Sequence, residues 1–109
     1  MSWLLRDDDV LAALEERRRG WAVSLRGAVV LRGPGVVHTL AAPVALDLAW
    51  CAVVCEGDKE RLEVRRIASI GPGRVARPRL YRGALVVANE GSFERWRLKV
   101  GDRLEIRRV

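Results

Sequence analysis

At 109 residues, half of them apolar, the chain supports one hydrophobic core and leaves no room for a second, so residues 1–109 are read as a single domain. Its net charge of +6 arises from 18 arginines and 2 lysines set against 14 acids. Nothing approaches eighteen uninterrupted apolar residues, and Met1 to Val10 meets arginine and three aspartates after a brief apolar start. Neither a spanning helix nor a signal peptide is therefore expected, nor a membrane partner, and the expected location is cytoplasmic.

Basic charge attracts phosphate and acidic partners. Here, though, it is spread through every segment and interleaved with acid, as from Glu60 to Arg65, and the chain has no glutamine and one asparagine, Asn89. That arginine-rich, amide-poor pattern fits a thermophile-like composition at least as well as it fits nucleic-acid binding.

Ser2 to Leu5 reads as a short strand and the Arg6 to Asp9 stretch as a turn. Val10 to Arg19 is ambiguous, but Val10, Leu11 and Leu14 match a helical stripe with aspartate caps ahead of them, so local signals predict a helix that Gly20 ends. Gly27 to Arg32 is β-branched and apolar and stops at Gly33-Pro34-Gly35, a strong breaker. Val36 to Leu40 is extended, and Ala41-Ala42-Pro43 makes a bend.

The longest weakly charged run, Val36 to Val54, holds the only histidine, His38, and a single acid, Asp47. From Val44 onward, one alternate set (Leu46, Leu48, Trp50) is bulky and reads as core. The other (Ala45, Asp47, Ala49, Cys51) is small and either lies under another element or lines a depression. An unpaired carboxylate in such a run costs several kcal/mol, so the fold has to satisfy Asp47 with backbone N–H groups, an arginine or a solvated pocket. Cys51 and Cys55 stand ~13 Å apart on one extended strand, beyond disulfide reach, and are expected to be free, buried thiols. One histidine and two badly spaced cysteines cannot build a closed zinc site, and no cofactor motif is present.

Glu56 to Lys59 turns the chain into a return strand, Arg61 to Ile67, where Arg65-Arg66 breaks the alternation and a one-residue bulge would restore Ile67 to the core face. Gly71-Pro72-Gly73 is a loop, followed by the basic run from Arg74 to Arg79. Gly83 to Ala88 is a further strand. Ser92 caps one turn of helix, Phe93 to Arg97, and Arg103 to Val109 is the last strand, with Leu104 and Ile106 inward. The expected fold class is mainly β: a small antiparallel β-sandwich or barrel with one or two short helices.

In order along the chain, Arg19-Gly20, Val37-His38-Thr39, Leu46-Asp47-Leu48, Arg74 to Pro78, and Gly91-Ser92-Phe93 through Trp96 to Leu104 stand at spacings that resemble a known family. It is the bacterial and archaeal family called domain of unknown function 192, and the resemblance covers about residues 19–108. It implies a compact β-sandwich and no established activity. The chain departs from the family's pattern at Ala41 to Ala45, where glycine, methionine and a basic or amide residue are common, and at Val87, where a glutamate is usual. The resemblance also pulls Val10 to Ala13 toward a strand paired with Ser2 to Leu5, leaving helix only from Leu14.

Three functional readings follow. The leading one is a binding or accessory module for a small-molecule or protein partner, with a polar pocket of His38, Thr39, Asp47 and Arg77 at strand ends. The alternative is nucleic-acid or acidic-partner binding through Arg74, Arg77, Arg79 and Arg82, weakened by Tyr81 being the only aromatic in that segment. The weakest is a small enzyme using His38 as a base oriented by Asp47. No nucleophile elbow, phosphate loop or metal cluster accompanies that pair, so no catalytic residue is assigned.

Overall fold

The structure, a computed structural model, describes residues 2–17, 27–32, 37–38, 45–76 and 83–108. Among them run β1 (Ser2–Arg6), β2 (Asp9–Arg17), β3 (Ala28–Arg32), β4 (Val37–His38), β5 (Leu46–Glu56), β6 (Lys59–Ile70), β7 (Val75–Ala76), β8 (Gly83–Asn89), α1 (Ser92–Trp96) and β9 (Arg103–Arg108). Seven strands close into a barrel in the order β1-β2-β3-β8-β5-β6-β9, while β4 and β7 pair separately. The protein is thus mainly β with a short helix, in the barrel form of the expected architecture. Its ladders are antiparallel except β2 with β3.

Local sequence signals set most of these strands, and the exception is instructive. Leu14 to Arg17, expected as the start of a helix, continue β2. Asp7 and Asp8 do not cap a helix; both take positive φ in the two-residue turn joining β1 to β2, which short polar side chains tolerate. β1 pairs with β2 as far as Leu14, and β3 takes the other edge from Leu14 to Arg17, so the ladder with β3 overrides local helix preference there. β3 can approach only because Gly27 (φ +119) has no side chain: a Cβ there would lie 2.5 Å from the Ala13 carbonyl oxygen.

The β5–β6 hairpin carries the anticipated bulge. Trp50 pairs with Arg66 and Cys51 with Val64, so Arg65 is the extra residue. Beyond it Ile67 packs against the core.

The barrel lumen is filled from every wall by Leu4, Leu14, Val30, Ala49, Cys51, Leu62, Val64, Val86 and Leu104, with Phe93 entering from α1. The bulky face of β5 is core, as expected, but in a cluster outside the lumen, and the small face is buried as well. Its small residues Ala49 and Cys51 point into the lumen, where seven strands leave little width, while bulky Leu46 and Leu48 point outward. There they join Val29, Leu31, Ile70, Leu85 and Val87 in a second buried cluster, with Trp50 packed against it. The Arg66 guanidinium lies 4.7 Å from the Trp50 ring centroid, a cation–π contact. Of the two cysteines expected to be buried, Cys51 is and Cys55 is exposed; both are free thiols. Cys55 lies beyond the last pairing of β5 with β8 at Ala52, where β6 still pairs with the strand.

Candidate functional site

A five-residue helix has little stability of its own, so α1 depends on what grips its ends. At its start, Asp47 Oδ2 accepts hydrogen bonds from the backbone N–H groups of Gly91 and Phe93, each at 3.1 Å, while Ser69 Oγ donates to Oδ1 at 3.3 Å. At its end, Arg6 Nη1 donates to the Arg97 carbonyl at 3.2 Å and to Asp102 Oδ2 at 3.0 Å, and Nη2 donates to the Trp96 carbonyl. A carboxylate thus meets the exposed N–H groups and a guanidinium meets the exposed carbonyls, the arrangement the helix dipole favours. Ser92, expected to cap the helix, instead accepts a hydrogen bond from Arg95 Nη2. The cap comes from β5.

Phe93 is buried by this clamp and its ring lies 5.5 Å from that of Trp96. Together they close one mouth of the barrel. Beside them a cleft of about 600 Å³ lies between α1 and β6, lined by Asp47, Ile67, Ser69, Glu90, Gly91, Phe93, Glu94, Arg97 and Leu98. Its acids outnumber its cations three to one in a chain of net positive charge. Asp47 is only 6% exposed; Glu90, Glu94 and Arg97 are exposed at the rim.

The opposite mouth is closed by charge. Strand alternation turns Glu16, Arg32, Glu60 and Arg108 inward at the ends of β2, β3, β6 and β9. Arg108 grips Glu16 with two bonds, Nε to Oε2 at 2.9 Å and Nη2 to Oε1 at 2.7 Å. Arg32 lies 3.9 Å from Glu16 and 2.5 Å from Glu60. The hydrogen bond from Arg108 holds the Glu16 carboxyl below its ordinary range, and the same bond raises Arg108. In the lumen, burial pushes the Cys51 thiol up to about 12, which leaves it without thiolate at neutral pH.

Of the residues expected to share a pocket, Asp47 lines the cleft. His38 is placed by its backbone, in β4 opposite Val75 of β7; Thr39 and Arg77 lie outside the described residues. In the basic segment, Arg74 is exposed, and Arg79 and Arg82 also lie outside the described residues. Sequence reasoning missed Ser69, Glu90, Glu94 and Arg97 as neighbours of Asp47. Only the alternation of β6 beyond the bulge, which turns Ile67 and Ser69 to the same side as Asp47, could have brought Ser69 to notice. Among the described residues no group of three or more His, Cys, Asp or Glu is placed to hold a metal ion. Among them no helix is long and apolar enough to cross a membrane.

No family model, curated protein or solved structure matches the chain. The resemblance to domain of unknown function 192 therefore rests on the residues quoted for it.

Proposed function

We propose that this chain is a binding or accessory domain whose ligand hollow is the cleft beside Asp47, and that kinship with domain of unknown function 192 is part of that reading. One observation carries it: the acid within the cleft spends its oxygens on Ser69 Oγ and on the N–H groups of Gly91 and Phe93. A carboxylate committed in this way fixes the wall of a hollow and is a poor candidate for a base or for the orienter of one. The cleft's volume lies within the range of ligand sites, and its lining mixes apolar Ile67, Phe93 and Leu98 with polar groups at the rim. The free thiols fit a reducing cytoplasm.

The test is a nuclear magnetic resonance titration of the 15N-labelled chain with a library of small polar compounds. Binding at this site shifts the amides of Ser69, Gly91, Phe93 and Glu94 together. Hits that cluster elsewhere, or a library that leaves these four amides unmoved, would remove the proposal.

A further inference from the structure

We propose that the cleft receives an extended basic segment of a partner protein, which adds to β6 as a strand alongside Ile67 to Ser69. The inference rests on the cleft being the binding site and names what enters it.

The register of the barrel determines where the backbone of β6 points. The Ala45 carbonyl accepts a hydrogen bond from the Glu90 N–H at 3.1 Å. Along β5 such groups alternate sides, so Ala45, Asp47 and Ala49 turn toward β8, and Leu46 and Leu48 turn toward β6. Leu46 and Leu48 stand opposite Ile70 and Ala68, which therefore bond β5. It follows that Ile67 and Ser69 turn their N–H and C=O groups away from β5, toward the side where β9 would lie.

β9 does not reach that far. It pairs with β6 only across Arg61 to Glu63, after which Val64 exchanges hydrogen bonds of 2.8 Å with Asp102 and Gly101. Past the bulge at Arg65 the chain facing β6 is α1 and its following turn, not a strand. Among the described residues no strand pairs with this stretch of β6 on that side, and Ser69 is exposed while Ile67 is half-buried. The opened seam is the cleft.

Two N–H groups and two C=O groups spaced about 6.6 Å along an edge match the repeat of another extended backbone, which a small molecule does not reproduce. Alternate side chains of an added strand would face Ile67, Phe93 and Leu98, and the rim acids Glu90 and Glu94 select positive charge beside them. A second copy of this chain fits poorly, since two such clefts face to face would set Glu90 and Glu94 against their counterparts.

The experiment titrates the 15N-labelled full chain with three blocked pentapeptides. One alternates lysine and valine, one alternates glutamate and valine, and one is the lysine peptide N-methylated throughout. The lysine peptide is expected to shift the Ile67 and Ser69 amides and to slow their hydrogen exchange. The glutamate and N-methylated peptides should bind at least tenfold more weakly, and Glu94→Arg should weaken the lysine peptide several-fold. Unmoved Ile67 and Ser69 amides at millimolar lysine peptide, or equal binding by either control, would overturn the assignment. If small polar compounds still shift Gly91 and Phe93 in that case, the cleft stands as a binding site and only the peptide falls; if nothing shifts them, both fall.

Discussion

Replacing Asp47 by alanine tests whether the acid is structural. The substitution strips acceptors from two backbone N–H groups, one on half-buried Gly91 and one on buried Phe93. An unsatisfied buried donor costs about 1–3 kcal/mol, with the Gly91 group at the lower end because the cleft admits water. Loss of the charge at the helix start adds a few tenths of a kcal/mol. The sum is about 3 kcal/mol, a large part of the 5–15 kcal/mol that holds a domain of this size. With an unfolding entropy of about 2.1 cal/mol/K per residue, that corresponds to a fall in Tm of ~13 °C. Asp47→Asn retains one acceptor oxygen and loses the charge, so about 1 kcal/mol is expected. Urea denaturation followed by circular dichroism measures both variants, and hydrogen exchange at Phe93 should accelerate in the alanine variant. An alanine variant as stable as the parent, or more so, would refute the reasoning, because an acid retained for chemistry at a cost in stability relaxes the fold when removed.

Glu16→Gln should destabilise by less than about 1 kcal/mol, since the pair with Arg108 is partly exposed. Because the folded carboxyl titrates below its ordinary value of 4.5, the parent's advantage is fully present above that pH. It disappears as pH falls through the folded value; a gap between the two proteins that widens toward pH 3 would contradict the ion pair. Ellman's reagent at pH 8 should titrate one thiol per native chain, exposed Cys55, and the buried Cys51 only after unfolding; rapid reaction of both would place Cys51 outside the lumen. Gly27→Ala should cost ~3 kcal/mol in urea denaturation from its positive φ and the crowded Ala13 carbonyl, and a loss under about 1 kcal/mol would mean that β3 stands clear of β2.

What could be read from the residues was whatever depends on neighbours in the chain. The β5–β6 hairpin and its bulge followed from alternation and from its interruption at Arg65-Arg66. The last strand followed from Leu104 and Ile106. What depends on distant partners was not legible. The local marks at Leu14 to Arg17 favour a helix, and only the arrival of β3 makes them a strand. Alternation likewise separates two faces of β5 without saying which is concave. Leu46 and Leu48 are core as expected, but in a narrow barrel the small face takes the lumen and the bulky face joins a second cluster outside it, a division that alternation does not give. Asp47 was recognisable as an acid in need of donors, but those donors lie 44 and 46 residues further along, and nothing local announces them.

The two ends of the barrel are closed by different physics, and the difference bears on where binding can occur. At the end closed by Glu16, Arg32, Glu60 and Arg108, each guanidinium faces a carboxylate, so the charges are spent on one another and add little field toward a partner. At the other end the strongest polar groups, Asp47 and Arg6, are also spent, but on α1, and the helix they hold occupies the place where β9 would otherwise continue along β6. Had the ladder run on, it would have consumed the Ile67 and Ser69 backbone groups. The clamp substitutes a helix for a strand and leaves those groups facing the cleft. Loosening the clamp should therefore impair binding at the cleft before it unfolds the barrel. Arg6→Met, which frees the Trp96 and Arg97 carbonyls while the β1–β2 and β1–β9 ladders remain, separates the two effects. The expected outcome is a barrel with native circular dichroism, faster hydrogen exchange at Phe93 and Leu98, and weaker binding of any ligand that shifts Ser69. Unchanged exchange in that variant would mean that α1 holds its place by Phe93 packing alone.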